Sequence, residues 1–522
     1  MAAPNAAQAA ANQAAADQEF RLLQQMITYN FMKVRGEGRD LTQDEEDGDR
    51  YKTLLIPKGG RLRGRFQGLR PRRGRPEIGR VGGDPEAIGH PLNERKARRA
   101  RRWLSWKLTG YGLHLVRTLG WGGNGIASLF RTRPTTSPRR PRQTFVAKCF
   151  IKSGPAHTNL LRRERNWHAR YQGALHVVQL KEFQPPPPVP GLPPPGLPAD
   201  VLFLEYLPRG SLHRLLCFVE AVNDEFPNRV VWLIFQCLIK ACIALEYPPS
   251  QDNAVLRDTR GTVMGHASER VPPDRQAQYD AAVANNTWMD EGQAPGGAGL
   301  VHFDIDPQNI LLGGLFRGPP HDQHNLFPVM KLGDFGSAKV VDGASLGDRR
   351  WMWKHRRVSK ISFYTPEQFT EEWDWVDQCP NQEVPPVKVA GKYSWKTNLY
   401  QLALCMICII TEHYPPLPSF PGKIEIIDPK DGVRKKVWSY GAYLLDRNKY
   451  KGVDRRLRQL VAQCLCDEPA HRPHLQALLD EVTDYIDNNQ WGEHDSDAAV
   501  RHWVQRNAYA PPPPAQRHWI DT

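Results

Sequence analysis

VHFDIDPQNILL, residues 301–312, and KLGDFGSAK, residues 331–339, decide how the rest of this chain is read. In the first stretch Asp304 and Asn309 stand five positions apart behind His302; in the second, Asp334 opens an Asp-Phe-Gly triplet after a short apolar run. Phosphoryl transfer needs a carboxylate to take up the nucleophile's proton, and hard oxygen ligands to hold Mg²⁺ against nucleotide phosphates. Asp304 suits the first task; Asn309 and Asp334 suit the second. Alone, a histidine near an aspartate is usually a loop hydrogen bond, and Asp-Phe-Gly is usually a turn. Their order along the chain, and what surrounds them, carry the reading further.

Upstream, residues 111–119 alternate as a strand and run into Gly120-Trp-Gly122-Gly123-Asn-Gly125, a G-x-G-x-x-G turn. Glycines there let the backbone approach a phosphate and present N–H donors. TFVAKCFIK follows, a β-rich run carrying Lys148. Glycine-rich turns are common, and a lone strand lysine is usually a surface charge. In combination, these segments resemble the eukaryotic protein kinase superfamily, whose catalytic loop reads H-R-D-L-x-x-x-N, whose metal loop reads D-F-G and whose third strand reads V-A-I-K.

The resemblance implies an α+β fold of two lobes, a small mostly β N-lobe and a large helical C-lobe, over residues 108–487. It also implies ATP and Mg²⁺ as cofactors and a protein substrate. Asp304 would be the catalytic base, Lys148 the grip on the α- and β-phosphates, and Asn309 and Asp334 the metal ligands. Gly120, Gly122 and Gly125 would cover the phosphates. A helix expected over residues 159–172 would bring Glu164 to Lys148, although a glutamate alone is also an ordinary solvated helix charge. VLFLEYLPRGSL resembles the last small-lobe strand and hinge, with Leu204 behind the adenine and Glu205 to Leu207 offering backbone groups to it. Thr-Pro-Glu at residues 365–367 resembles the A-P-E that closes an activation segment, and Arg472 resembles its arginine partner.

Composition limits the rest. A chain of 522 residues with 45 prolines and two biased tails is expected to be one large globular unit with appendages. Its nine cysteines are scattered, which points to reduced thiols in an intracellular protein, cytoplasmic or nuclear. Residues 1–16 hold ten alanines without a basic start, unlike a secretory signal. The apolar run 399–410 is too short to cross a bilayer, so no membrane partner is expected.

Of the net charge of +14, residues 58–107 carry sixteen Lys or Arg against four acids, a net +12. Residues 59–83 mix Arg with Gly and Pro and are expected to be disordered. ERKARRARRWLSW, residues 94–106, is compatible with a basic helix: either a solvated linker, an import signal or a patch for nucleic acid or an acidic partner. Residues 19–33 carry apolar side chains at helical spacing. Residues 1–107 as a whole read as a largely disordered extension, and 488–522, with a four-proline run, as a disordered tail. Proline-rich 185–199 and polar 248–299 and 313–328 read as insertions looping from an intact core. Between them, Val231, Phe235, Leu238, Cys242 and Leu245 mark an amphipathic helix, and 396–411 a helix buried all round.

Departures from the pattern qualify the function. Phe303 replaces the arginine before the catalytic aspartate, so a phosphorylated activation loop would lack its usual cationic partner. Asp306 takes the place of the lysine that neutralises the transferring phosphate, which predicts a slow enzyme. Asn398 stands where the central helix normally offers an aspartate, and its side-chain oxygen can still accept those hydrogen bonds. The reading is therefore an ATP-dependent serine/threonine protein kinase not governed by activation-loop phosphorylation. A pseudokinase scaffold is the alternative, and a small-molecule phosphotransferase a more distant one.

Overall fold

The computed structural model describes residues 88–89, 93–122, 125–132, 143–151, 154–181, 198–248, 255–257, 263–266, 299–315, 322–356, 358–370, 372–373, 387–416, 421–429, 432–446 and 448–509. Numbered along the chain, the longer helices are α1 (Glu94–Thr109), α2 (Pro155–Arg170), α3 (Leu212–Ala221), α4 (Asn228–Glu246), α5 (Trp395–Thr411), α6 (Arg455–Cys464), α7 (Leu475–Asn488) and α8 (Asp497–Val504). The strands are β1 (Ile88–Gly89), β2 (Leu113–Trp121), β3 (Gly125–Thr132), β4 (Thr144–Phe150), β5 (Leu202–Leu204), β6 (Val255–Arg257), β7 (Val263–His266), β8 (Leu300–Val301), β9 (Ile310–Leu312), β10 (Met330–Leu332), β11 (Lys339–Val340), β12 (Gly422–Ile427) and β13 (Arg434–Ser439). Helix and strand mix as an α+β fold, and the chain divides into two compact units.

One unit comprises the described parts of 62–273, 306–338 and 475–522. Its main sheet has the order β1-β2-β3-β4-β5, antiparallel throughout except for the parallel β1–β2 pair. Alternation in β4 turns Phe145, Ala147 and Cys149 into a core shared with Ile126, Phe130 and the α1 side chains Ala97, Leu104 and Leu108. The basic helix is thus part of the folded unit, although it starts fourteen residues before the expected boundary at 108, because those three apolar residues line one face while Arg95, Lys96, Arg98, Arg99 and Arg102 stay exposed. The stretch after α2 adds two single bridges, Val177 to Leu332 and Leu180 to Leu204.

α4 is long and apolar enough to cross a membrane, but 83% of that stretch is buried inside the protein, so it serves as a core helix. It is covered nearly all round, not along one stripe as its spacing suggests, with Trp232 stacked on Tyr485 of α7. The C-terminal stretch expected as a disordered tail is folded through residue 509. Val500, Trp503 and Val504 of α8 are buried, and Trp503 Nε1 donates to the Glu225 carbonyl at 2.8 Å. Within the 248–299 insertion, expected to be unstructured, β6 and β7 pair as a hairpin. Within 313–328 a 3-10 turn, Asp322–Asn325, leads to buried Leu326 and Phe327, so its end joins the core. Most of 185–199, together with residues 19–33 and residues 58–87 of the basic stretch, lies outside the described residues.

The other unit comprises the described parts of 274–305 and 339–474. α5 is its axis, with residues from Trp395 to Ile410 buried, as a nearly all-apolar helix in water requires. Ser394 caps it by accepting from Lys396 N–H. The β8–β11 ladder and α6 pack against it, and the β12–β13 hairpin packs in turn on α6.

Candidate functional site

In the first unit the β9–β10 ladder pairs Ile310 with Leu332, so Asn309 and Asp334 leave the same end of one two-stranded ladder. The Gly333 N–H donates to the Asn309 carbonyl at 2.9 Å, which fixes that neighbourhood. Asp334 holds a left-handed backbone, φ 63° and ψ 69°, and its carboxylate caps the turn of Phe335–Ser337 by accepting from Gly336 N–H. Left-handed backbone suits aspartate better than most residues because a short polar side chain bonds locally. Phe335 is the reason the turn stays put: it is buried, edge-on to His168 at 4.9 Å and stacked on Tyr171 at 5.4 Å.

His168 shares a face of α2 with Glu164, one turn away, and its Nδ1 pairs with the Val178 carbonyl at 2.8 Å. Lys148, pointing from β4, places Nζ 2.7 Å from Glu164 Oε1 and 2.8 Å from Asp334 Oδ1. Three sequence-selected residues, Lys148, Glu164 and Asp334, thus meet in one cluster. Burial alone would push the Lys148 ammonium down and does push the Glu164 carboxyl up. The Asp334 and Glu164 carboxylates overcome that for Lys148, whose pKa is raised, so it stays charged. The Asp334 side chain is 47% exposed, which leaves carboxylate surface for a cation.

Asp306 does not point to solvent. It is buried, its Oδ1 accepts from Gln308 N–H at 2.7 Å, and its Oδ2 accepts from Asn309 Nδ2 at 3.3 Å. It therefore orients the Asn309 amide, turning the amide oxygen away from the Asp306 carboxylate. A carboxylate and an amide oxygen are the hard donors Mg²⁺ takes.

The glycine turn closes β2 onto β3, with Gly122 N–H donating to the Gly125 carbonyl at 2.9 Å. Gly120 lies within β2 opposite Ala127. A Cβ at Gly125 would come 3.2 Å from the Cys149 carbonyl and 3.6 Å from Lys148 Cε, so the glycine permits a close approach over the lysine. Leu204 and Leu207 join Val146, Val178, Leu202 and Leu311 in an apolar cluster. Glu205 is held to the neighbouring elements through its N–H and its carboxylate. Its N–H donates to the Gln179 carbonyl at 3.0 Å, and its carboxylate accepts from Gln179 N–H and from Lys331 Nζ, both at 2.8 Å. The Glu205–Lys331 pair carries no local sequence signal, since 126 positions separate its members.

In the second unit Asp304 follows β8, and its N–H donates to His302 Nδ1 at 3.3 Å. α5 holds this loop from below. Asn398 Oδ1 accepts from His302 N–H at 2.9 Å while Asn398 Nδ2 donates to the Leu300 carbonyl at 2.7 Å, so the amide does what the sequence allows it. Gln401, missed in the sequence, accepts from Ile305 N–H at 3.3 Å and donates to the Phe363 carbonyl at 3.0 Å. Phe303 adopts φ 61° and is buried, its ring stacked on His355 at 5.5 Å and edge-on to Tyr393 at 5.1 Å. Glu367 and Arg472 form a buried bidentate pair, 2.7 and 3.0 Å, with Thr397 Oγ1 donating to the same carboxylate.

No family model matches the chain. Over 244 residues it is 28% identical to the serine/threonine-protein kinase PkaB of Streptomyces coelicolor, a stretch covering 44% of this chain and 46% of that protein. The chain thus spans about half the length of the curated relative it matches. That likeness, together with the site geometry, suggests a protein kinase-like relationship.

Proposed function

We propose that the chain is a two-lobed protein kinase, dependent on ATP and Mg²⁺, that transfers the γ-phosphate to a serine or threonine hydroxyl of a protein. The observation that carries this reading is Lys148 held between Glu164 and Asp334 at 2.7 and 2.8 Å, beside an Asn309 whose amide is oriented by Asp306. Lys148 holds the α- and β-phosphates, and Glu164 keeps its ammonium aimed. Asn309 and Asp334 are the residues that would hold Mg²⁺, which would supply positive charge against the nucleotide phosphates. Asp304 accepts the proton of the attacking hydroxyl, its loop steadied by Asn398 and Gln401.

The Gly120, Gly122 and Gly125 turn covers the phosphates, and Leu204 and Leu207 receive the adenine. Turnover is slow, because a carboxylate at Asp306 supplies no cation to the transferring group. A likeness to a serine/threonine kinase and the buried Glu367–Arg472 pair, which fixes the end of a segment able to present a peptide, support a protein substrate. The exposed basic face of α1 is where a nucleic acid or an acidic partner would sit.

Turnover of Mg²⁺-ATP on a mixed protein substrate tests the reading. Asp304→Ala and Asp334→Ala should each lower the rate by about a hundredfold or more. ATP at a hundred times its Kd should also stabilise the chain by about 2.7 kcal/mol. A nucleotide-induced stabilisation without turnover would make the chain a scaffold; the absence of both effects would end the proposal.

A further inference from the structure

His176, Cys237 and His324 meet in the interior of the first unit, each buried to within 3% exposure. Each offers one ligating atom, and the three atoms lie within 4.8 Å of one another. The imidazole rings are 5.2 Å apart and tilted by 50°. Three separate elements bring them together: the loop after α2, the middle of α4, and the 3-10 turn Asp322–Asn325 within the 313–328 stretch. Two imidazoles and a thiol are an expensive way to fill an apolar core, where leucine would fill the space without the cost of burying polar nitrogens.

We infer that these side chains form a zinc site. Imidazole nitrogen and thiolate sulfur are the ligand set of Zn²⁺, and they are poor ligands for Mg²⁺ or Ca²⁺, which take oxygen. Bond lengths of about 2.1 Å to nitrogen and 2.3 Å to sulfur put tetrahedral donors about 3.5 Å apart. The 4.8 Å limit is thus closed by side-chain rotations of about an ångström. Three protein ligands leave a fourth position for water or a further donor. Binding takes the proton from the Cys237 thiol and releases it to solvent, so occupancy falls as pH drops.

The site's place in the fold gives it a structural use. The His176 carbonyl accepts from Leu332 N–H at 2.8 Å and Val177 bridges to Leu332, two residues before Asp334. An ion here would tie the end of the 313–328 stretch and the loop after α2 to the core helix, and so stiffen the strand that delivers Asp334. The inference stands independently of the proposed kinase activity.

The full chain, purified without a histidine tag and dialysed, should carry about one zinc per molecule by mass-spectrometric metal analysis. Cobalt substituted for zinc should show a thiolate-to-metal charge-transfer band that Cys237→Ser abolishes. A chelator should lower the wild-type melting temperature, with zinc but not magnesium restoring it, and that measurement needs no variant to fold. Less than about a tenth of an equivalent of metal after zinc loading, or the same zinc content in wild type, His176→Gln and Cys237→Ser, would overturn the inference.

Discussion

His474 sits at the edge of α7 with its ring 6.1 Å from Trp395, and burial pushes its pKa down to about 3 from an ordinary 6.5. Between those values the unfolded chain holds a proton that the folded chain does not. Stability contributed by the neutral ring is therefore present above pH 6.5 and is lost as pH falls toward 3, at up to about 1.4 kcal/mol per pH unit. Asp467 works in the opposite direction, since desolvation raises its carboxyl to about 7. The difference between wild type and His474→Gln thus isolates the histidine, and its melting temperature should fall less steeply below pH 6.5 than that of wild type. Parallel profiles for the two proteins would contradict this account. At the same scale, the residues legible in the sequence were those whose chemistry is written in local spacing: Lys148 in a β-rich run, Asn309 behind Asp304, Asp334 before a glycine. Gln401 and the Glu205–Lys331 pair were not, because their partners lie 96 and 126 positions away and no periodicity announces them. Asp306 was legible as a charge but not as the acceptor that orients Asn309.

The segment between β11 and α5 shows what replaces a phosphate–arginine contact. Phe303 fills the space with a ring stacked on His355 and met edge-on by Tyr393, and burial lowers the His355 pKa, which keeps that ring neutral at pH 7. Gln368 Nε2 donates to three carbonyls, those of His355, Arg356 and Val358, while Arg356 Nε returns a bond to the Gln368 carbonyl at 3.0 Å. Order here is supplied by packing and by hydrogen bonds to carbonyls, so a phosphate on Ser345, Ser359 or Ser362 is not needed to create it. Phosphatase treatment should leave turnover within about twofold, whereas Phe303→Ala should cost about 3–5 kcal/mol of stability. Loss of activity on dephosphorylation, reproduced by Ser359→Ala, would show the reverse. α5, a long and nearly all-apolar run, was recognisable from sequence to within a residue. α1 was recognised as a basic helix but not as part of the core, because seven Arg or Lys hide the face formed by Ala97, Leu104 and Leu108.

For the unit that carries Lys148 and Asp334, the C-terminal stretch is a structural member and not an appendage. The four-proline run beyond it suggested a tail, yet Val500, Trp503 and Val504 recur at the spacing that gives a helix one apolar face. That face is buried, and polar contacts fix it: Arg229 N–H to Asp495 at 2.9 Å, Asn507 Nδ2 to Asp224 at 2.8 Å, and the Leu315 N–H to the Tyr509 hydroxyl at 3.1 Å. The Arg209 guanidinium lies over the Tyr509 ring. Burying a tryptophan and two valines contributes about 2 kcal/mol each, of the order of 6 kcal/mol before the entropy of ordering the segment is subtracted. At about 2–4 °C per kcal/mol for a domain of this size, ending the chain at residue 488 should lower the melting temperature by roughly 10 °C or more. Trp503→Ala should reproduce about half of that loss, since it removes the largest buried side chain and orphans the Glu225 carbonyl. Because Leu315 lies three residues beyond β9, the truncation also releases a hold on the ladder that positions Asn309 and Asp334, so nucleotide affinity should weaken along with stability. A chain ending at 488 that melts with the full-length protein and binds nucleotide equally well would show that α8 merely rests on the surface.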